Sequence, residues 1–135
     1  MSDFNTEIIN EFRENDGNVT SYHFATMPLL LLHSRGAKTG KPTVAPIARF
    51  QDGDSWVIVG SAGGSPKDPA WVHNLRANPE ARIELGTEEQ NVVAHELDGD
   101  DYGKAWRKVV AEQPSFEGYL AKTDRKLPII RLSRR

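Results

Sequence analysis

Two glycine-containing segments carry groups suited to binding an anion or a flat ring, and the first is residues 34–41 (SRGAKTGK). Gly36 and Gly40 let backbone N–H groups approach an anion, and Lys38 and Thr39 add side-chain donors. A nucleotide-hydrolysing P-loop has one more residue between its glycines and a Ser or Thr after its lysine, where this chain has a proline. The pattern therefore predicts either an anion site of another kind or a solvated basic hairpin loop.

The second segment, residues 60–64 (GSAGG), lies between a predicted strand and a predicted helix. Its small residues let a flat ligand lie against the backbone, whose free N–H groups can donate to it. It is not the G-x-G-x-x-G pattern of dinucleotide-binding units, and a flexible connection is the alternative interpretation. Ser61 is a candidate proton donor or orienting hydroxyl, but the absence of a G-x-S-x-G pattern argues against hydrolase chemistry.

Charge is unevenly distributed along the chain. Residues 17–51 contain no Asp or Glu but four Lys or Arg side chains, whereas residues 84–101 contain seven acids and no Lys or Arg. The net charge of −2 argues against a general nucleic-acid-binding protein. The basic segment is therefore expected to face an anionic small molecule.

Composition narrows the function classes further. A length of 135 residues predicts a single domain spanning 1–135. The lack of cysteine excludes thiol nucleophiles and iron–sulfur clusters, and the four histidines show no metal-ligand spacing, so no metal site is predicted. An acidic N-terminus without an apolar signal core predicts a cytoplasmic protein.

Apolar spacing predicts a mainly β fold with helical decoration. In the N-terminal stretch 1–17 the apolar residues have helical spacing, so this helix is expected to pack on the core, with peripheral membrane contact as the alternative.

Pro46 predicts an edge or bulged strand, and Asp68 is the expected N-cap of a helix that Asn78 and Pro79 stop. The predicted strands are 28–33, 42–50, 56–59, 81–85, 91–97 and 127–132, and the further helices are 70–77, 98–112 and 116–122. About six antiparallel strands with three or four helices fit a small barrel better than a doubly wound sheet.

Two pairs of side chains share a helix face and are further site candidates. Trp71 and Asn74 are three residues apart, and core packing with a satisfied amide is the alternative role. Phe116 and Tyr119 have the same spacing, which suits either an aromatic wall over a pocket or ordinary core packing.

Several motifs taken together resemble the deazaflavin-dependent nitroreductase family over roughly residues 29–132. The matching segments are GAKTGKP at 36–42, VAP at 44–46, DG at 52–53, VIV at 57–59, SAGG at 61–64, PAWVHNLRANP at 69–79, PSFEGYL at 114–120 and TDR at 123–125. The resemblance implies a split β-barrel that binds coenzyme F420, a deazaflavin with a phosphate and an acidic polyglutamate tail. An anionic tail agrees with the carboxylate-free, basic segment of the chain.

The resemblance also implies roles for individual residues. Ser61 and Tyr119 would be catalytic, and Phe116 and Tyr119 would face the substrate. The implied cofactor-binding residues are Ala37, Lys38, Thr39, Thr43, Val44, Ala45, Pro46, Ile47, Ala48, Val59, Gly60, Ser61, Ala62, Gly63, Ala70, Trp71 and Asn74. The chain departs from some members at Thr43 and Ala62, where they have a cation, and at Phe116, where they have Tyr.

The implied function is hydride transfer from reduced F420 to a quinone, nitroaromatic or similar electron-poor acceptor. The missing Phe116 hydroxyl weakens the expectation of nitroimidazole reduction and leaves quinone reduction open. The alternatives are an FMN-binding split-barrel oxidoreductase and a non-enzymatic cofactor carrier. The expected partner is a small-molecule acceptor rather than nucleic acid, and either a monomer or a homodimer agrees with the sequence.

Overall fold

The described residues of a computed structural model, 4–15, 28–60, 68–114, 116–121 and 127–135, form one sheet and four helices. In chain order the elements are α1 (Phe4–Glu14), β1 (Leu29–Arg35), β2 (Pro42–Ala48), β3 (Phe50–Asp52), β4 (Ser55–Val59), α2 (Ala70–Ala77), β5 (Glu80–Leu85), β6 (Glu88–Glu96), α3 (Gly99–Glu112), α4 (Phe116–Ala121) and β7 (Ile129–Arg134).

The sheet curls because its two edge strands are consecutive in the chain. The strand order is β2-β1-β5-β6-β7-β4-β3, and every neighbouring pair is antiparallel. Only Arg49 separates β2 from β3, so the chain bends there and brings the two edges together, and β2 also contacts β4. The resulting half-barrel confirms the split-barrel prediction.

Pro46 lies in an edge strand, as predicted. It is opposite Leu31 of β1, and β2 continues through it, because an edge strand has one side on which a missing N–H costs no ladder hydrogen bond. The break comes instead at Arg49, so the predicted strand 42–50 is two strands, and the described sheet has one strand more than predicted.

Two apolar cores lie on the two faces of the sheet. Leu30 and Leu32 point to one face and pack with Val72 and Leu75 of α2, which closes the inside of the half-barrel. The alternate residues of β1 point to the opposite face, which α1, α3 and α4 cover. Burial on both faces explains why β1 is a continuous apolar run rather than an alternating one.

The N-terminal helix packs on the core, as predicted, with Ile8 and Phe12 fully buried among the outer-face residues. It occupies 4–14 of the predicted 1–17, and residues 1–3 and 16–17 lie outside the described part of the chain. Among the described helices, none is both long and apolar enough to cross a membrane.

The predicted N-cap of α2 is wrong. Pro69 is the N-cap, with no side-chain cap hydrogen bond, and the Asp68 carboxylate instead lies 3.3 Å from the Arg76 guanidinium. The predicted end of the helix is confirmed, since Asn78 is the C-cap and donates its N–H to the carbonyl of Asn74 at 2.8 Å. A carboxylate two residues before a helix can pair with a nearby arginine instead of capping the helix. The local sequence does not show which of the two contacts it makes.

Candidate functional site

The hairpin between β1 and β2 forms a tight basic loop, residues 36–41. The N–H of Gly36 donates to the carbonyl of Lys41 at 2.8 Å, and the N–H of Gly40 donates to the carbonyl of Gly36 at 2.9 Å. Gly40 has φ +68°, a conformation that favours glycine. A Cβ on Gly36 would lie 2.6 Å from the Thr39 hydroxyl oxygen, which accepts the N–H of Lys41 at 3.2 Å. Both glycines are therefore required by the geometry of the loop.

Positive charge and free N–H groups converge on this basic loop. The side chains of Arg35, Lys38 and Lys41 are exposed and make no ion pair with any described residue. Within the same ranges, no hydrogen bond uses the backbone N–H of Lys38 or Thr39. Backbone N–H groups beside ammonium and guanidinium groups are a donor set for phosphate or carboxylate.

A partly buried neutral cluster, here called the loop network, joins the basic loop to α2. The Ala37 N–H donates to Asn74 Oδ1 at 2.9 Å, and Asn74 Nδ2 lies 3.5 Å from Thr43 Oγ1. Thr43 Oγ1 lies 3.0 Å from Ser34 Oγ and 3.3 Å from the Ser34 carbonyl oxygen. Asn74 and Ser34 are 7% and 6% exposed and are the buried polar residues of the described chain. Their side chains find hydrogen-bond partners in Ala37 and Thr43, as burial requires.

The predicted cofactor residues of β2 divide into an accessible half and a buried half. Val44, Ala45 and Pro46 are partly exposed on an edge strand whose second side has no strand partner among the described residues. Ile47 and Ala48 are 7% and 8% exposed and belong to the inner and outer cores. A ligand can therefore contact the first half of β2, here taken as residues 43–46.

The second glycine-containing segment begins at a crowded position. A Cβ on Gly60 would lie 2.8 Å from Val72 Cγ2 and 2.9 Å from Pro128 Cγ, and the Gly60 N–H donates to the Pro128 carbonyl at 2.8 Å. The Tyr102 hydroxyl donates to the neighbouring Leu127 carbonyl at 2.6 Å, and burial raises the pKa of Tyr102. Gly60 is therefore a packing requirement at the start of the segment, which the glycine pattern alone did not distinguish from ligand contact.

The other predicted residues around this segment are only partly described. Val59 is 5% exposed and packs in the outer core, whereas Trp71 is partly exposed and Ala70 exposed at the start of α2. Ser61, Ala62 and Gly63 lie outside the described residues, so this site prediction is not tested.

Phe116 lies in the outer-face core. It is 4% exposed and packs edge-on against Phe50, with ring centroids 5.6 Å apart and an interplanar angle of 88°. Tyr119 follows on α4, but its side chain lies outside the described part of the structure. The packing of Phe116 corresponds to the core alternative that its spacing left open.

A second polar cluster, here called the helix network, joins α1 to the sheet. Arg13 donates to both carboxylate oxygens of Glu84, at 3.3 and 2.8 Å, and His33 Nε2 lies 2.5 Å from Glu84 Oε2. An Arg82 guanidinium nitrogen lies 3.2 Å from His33 Nδ1, so Nδ1 accepts and Nε2 carries the proton donated to Glu84. The Arg13 hydrogen bonds are the main reason that the pKa of Glu84 lies below its usual value.

Sequence reasoning did not single out Ser34, Arg13 or Glu84. The Ser34–Thr43 contact could in principle have been predicted, because a hairpin closed at Gly36 and Gly40 puts these two residues opposite each other. The helix network joins positions 71 residues apart and left no local signal. Among the described residues, no group of three or more acidic or histidine side chains is placed to hold a metal ion.

Comparison with protein families gives one match over nearly the whole chain. A family model described as F420H(2)-dependent quinone reductase matches residues 5–133. An F420H(2)-dependent quinone reductase of Mycobacterium tuberculosis is 35% identical over 127 residues, which cover 92% of this chain and 85% of that protein.

Two solved structures share the fold at comparable identity. One, described as the F420-H2 dependent reductase FDR-A, is 33% identical with a TM-score of 0.72, covering 78% of this chain and 94% of that one. The other, described as a domain-swapped dimer, is 30% identical with a TM-score of 0.74, covering 95% of this chain and 98% of that one.

Proposed function

Because the chain belongs to the F420H(2)-dependent quinone reductase family, we propose that the basic loop, the first half of β2 and the start of α2 form the groove that holds its cofactor. Membership confirms the family resemblance, the oxidoreductase function and coenzyme F420 as the cofactor. The assignment of particular residues to the groove, and of a quinone as the acceptor, is the proposal. The family match over residues 5–133 is the observation that carries it.

The donor chemistry of the basic loop fits a phosphate-bearing cofactor. Lys38 and Lys41 supply ammonium groups, and the unused N–H groups of Lys38 and Thr39 suit phosphate oxygens. We assign the phosphate to this loop. The partly exposed strand residues 44–46 and Trp71 then line the side of the ring system.

The acidic tail of the cofactor has a candidate path beside the loop. A cleft of about 380 Å³ opens at the foot of the hairpin, where Arg35 and Pro42 form part of its wall. Arg82 and Arg135 also line it, but Arg82 pairs with Glu89 at 2.7 Å and Arg135 pairs with Glu80 at 3.4 Å. Arg35, which has no ion pair with a described residue, is therefore the side chain proposed to attract a carboxylate of the tail.

The protein itself supplies orientation, water exclusion and a proton. Reduced F420 supplies the hydride when it is bound. A quinone that gains a hydride must also gain a proton to become a hydroquinone, and the Ser61 and Tyr119 hydroxyls are the proposed donors. Residues 44–46 and Trp71 would shield the ring face from water.

The proposal is tested by titrating the protein with oxidised F420 and, separately, with FMN, followed by an acceptor screen with reduced F420. We expect binding of F420 in preference to FMN, and oxidation by quinones. Replacing both Lys38 and Lys41 with Ala should weaken F420 binding at least about tenfold, since hydrogen bonds to charged groups contribute about 1.5–3 kcal/mol each. Lys104→Ala, an exposed lysine of α3, is the matched control and should bind normally.

Each alternative function has its own outcome in this experiment. Tight F420 binding without turnover by any quinone or nitro acceptor would identify a cofactor carrier. FMN binding without F420 binding would identify the flavin alternative. Unchanged F420 affinity in the double Lys variant would remove the basic loop from the site.

The proton donors are tested separately, in single-turnover reactions of the F420H2-loaded enzyme. Ser61→Ala or Tyr119→Phe should slow quinone reduction at least about tenfold if either hydroxyl delivers the proton. Full rates in both variants would leave water as the donor and overturn this part of the proposal.

Self-association and location complete the proposal. One solved structure of similar sequence is described as a domain-swapped dimer, so we propose a homodimer, to be checked by light scattering; a monomer mass at all concentrations would contradict it. The cytoplasm is the proposed location. Peripheral membrane contact would require α1 to leave the sheet, because Ile8 and Phe12 are fully buried. Vesicle co-sedimentation measures that contact directly.

A further inference from the structure

We propose that Asn74 is a positioning residue that fixes the basic loop against α2, rather than a direct ligand of the cofactor. The inference rests on the proposed function, because it concerns how the phosphate-binding loop is held. It assigns the Asn74 amide an internal role in a place where the family resemblance implies contact with the cofactor.

The Asn74 amide is occupied by the protein on both of its ends. Its Oδ1 accepts the Ala37 N–H at 2.9 Å, and a backbone N–H can only donate, so the orientation of the amide is fixed. Its Nδ2 then faces Thr43 Oγ1 at 3.5 Å. The residue is 7% exposed, which leaves little surface for a ligand.

The Thr43 hydroxyl completes the connection. It has one proton, which it can donate to the Ser34 carbonyl at 3.3 Å, leaving its lone pairs to accept from Ser34 Oγ and Asn74 Nδ2. The amide thereby connects the first residue after Gly36, the start of β2 and the middle of α2. Both strands of the hairpin are held to the same helix.

This arrangement predicts which part of the cofactor depends on Asn74. The basic loop carries the proposed phosphate contacts of Lys38 and Thr39, and Ala37 precedes them directly. Loss of the amide releases Ala37 and lets these donors move. Binding of the phosphate should suffer, whereas the ring system, which has its own contacts at β2 and α2, should be held almost as before.

The experiment compares equilibrium binding of two ligands, F420 and its deazaflavin–ribitol fragment, which lacks the phosphate and the tail. We expect Asn74→Ala to weaken F420 binding about tenfold, the effect of about 1.4 kcal/mol, and fragment binding less than about twofold. Leu75→Ala is the matched control: Leu75 is the next residue of α2, is 2% exposed and belongs to the inner core. It should lower the melting temperature without changing the ratio of the two affinities.

A variant of Thr43 keeps the test decisive if Asn74→Ala does not fold. Thr43→Val removes the hydroxyl that lies 3.5 Å from Asn74 Nδ2 and should reduce the F420 affinity selectively. Equal weakening of both ligands, or unchanged F420 affinity, in Asn74→Ala and Thr43→Val would overturn the positioning role. If the unmodified protein binds the fragment but not F420, or neither ligand, the proposed function fails instead.

Discussion

The loop network and the helix network each hold one segment of the chain in place, but the first does so with neutral groups and the second with charged groups. The first uses neutral groups, and its Asn74 and Ser34 are at most 7% exposed. The second uses charged groups, and the side chains of Arg13 and Glu84 are 50% and 13% exposed. One holds a loop beside the proposed phosphate site, and the other holds a helix on the outer face of the sheet.

The difference follows from what each network lies next to. Neutral hydrogen bonds require less desolvation than ion pairs and exert only short-range fields, so they hold the basic loop without competing with it for an anion. A carboxylate in the position of Asn74 would repel the phosphate that the loop is proposed to bind. The helix network lies next to the loop network but on the other face of the sheet, since His33 directly precedes Ser34 on β1 and successive side chains of a strand point to opposite faces. Its charges are opposite and paired, so their contribution depends on salt and pH.

The largest effect should come from neither network but from the apolar contact beneath α1. Phe12→Ala removes a fully buried ring from the outer-face core and should reduce the free energy of unfolding by about 3–5 kcal/mol. Arg13→Ala, one position along, should cost only about 1 kcal/mol. Denaturation in urea measures both. Equal losses would mean that the ion pair, rather than the apolar face, holds the helix on the sheet.

The elements of the fold were largely predictable because apolar periodicity is local. The continuous apolar run of 28–33 predicted the strand β1, and the stop signal at Asn78 and Pro79 predicted the end of α2. The break at Arg49 was not predictable, because Pro46 gave the stronger local signal for interruption. The bend at Arg49 is instead imposed by the two sheet edges that meet there.

The contacts of individual residues in the proposed site were harder to predict than the segments that form it. Motifs brought the basic loop and α2 together correctly, but Val59 and Ile47 face the cores, and the Asn74 amide bonds to Ala37, 37 positions earlier. Such roles depend on which side of an element faces its neighbour. The resemblance indicates which segments form the proposed cofactor groove, but it does not separate residues that touch a ligand from residues that hold those segments in place.

The effect of salt on the cost of each substitution should distinguish the two networks, and the costs compared are of intermediate size. In urea, Asn74→Ala should cost about 1–3 kcal/mol, because it leaves the Ala37 N–H without its buried acceptor. That cost should be the same in dilute buffer and in about 1 M NaCl, where the Debye length falls to about 3 Å. The smaller cost of Arg13→Ala should decrease in the same series, because the guanidinium is half exposed.

Arg107→Ala is the control for the salt series, since Arg107 is exposed on α3 and has no ion pair with another described residue. A cost for Asn74→Ala that falls with salt as steeply as that for Arg13→Ala would contradict the division into neutral and charged networks.

The smallest predicted effect is the pH dependence of the helix network. Arg13, and to a lesser extent His33, lower the pKa of Glu84 below its ordinary value of 4.5, although burial opposes them. The ionised carboxylate therefore stabilises the folded state above that ordinary pKa, and the contribution is lost as the pH falls through the lower pKa of the folded protein. We expect Glu84→Gln to be less stable than the unmodified chain near neutral pH, by about 1 kcal/mol or less, and the difference to vanish below the pKa of folded Glu84.

The matched variant Glu112→Gln, at an exposed position on α3, should show no such convergence, and the cost of Asn74→Ala should not change with pH. Unfolding in urea from about pH 7 to pH 3 measures all three. A difference for Glu84→Gln that grows on acidification would reverse the sign, and would mean that protonated rather than ionised Glu84 holds α1 in place.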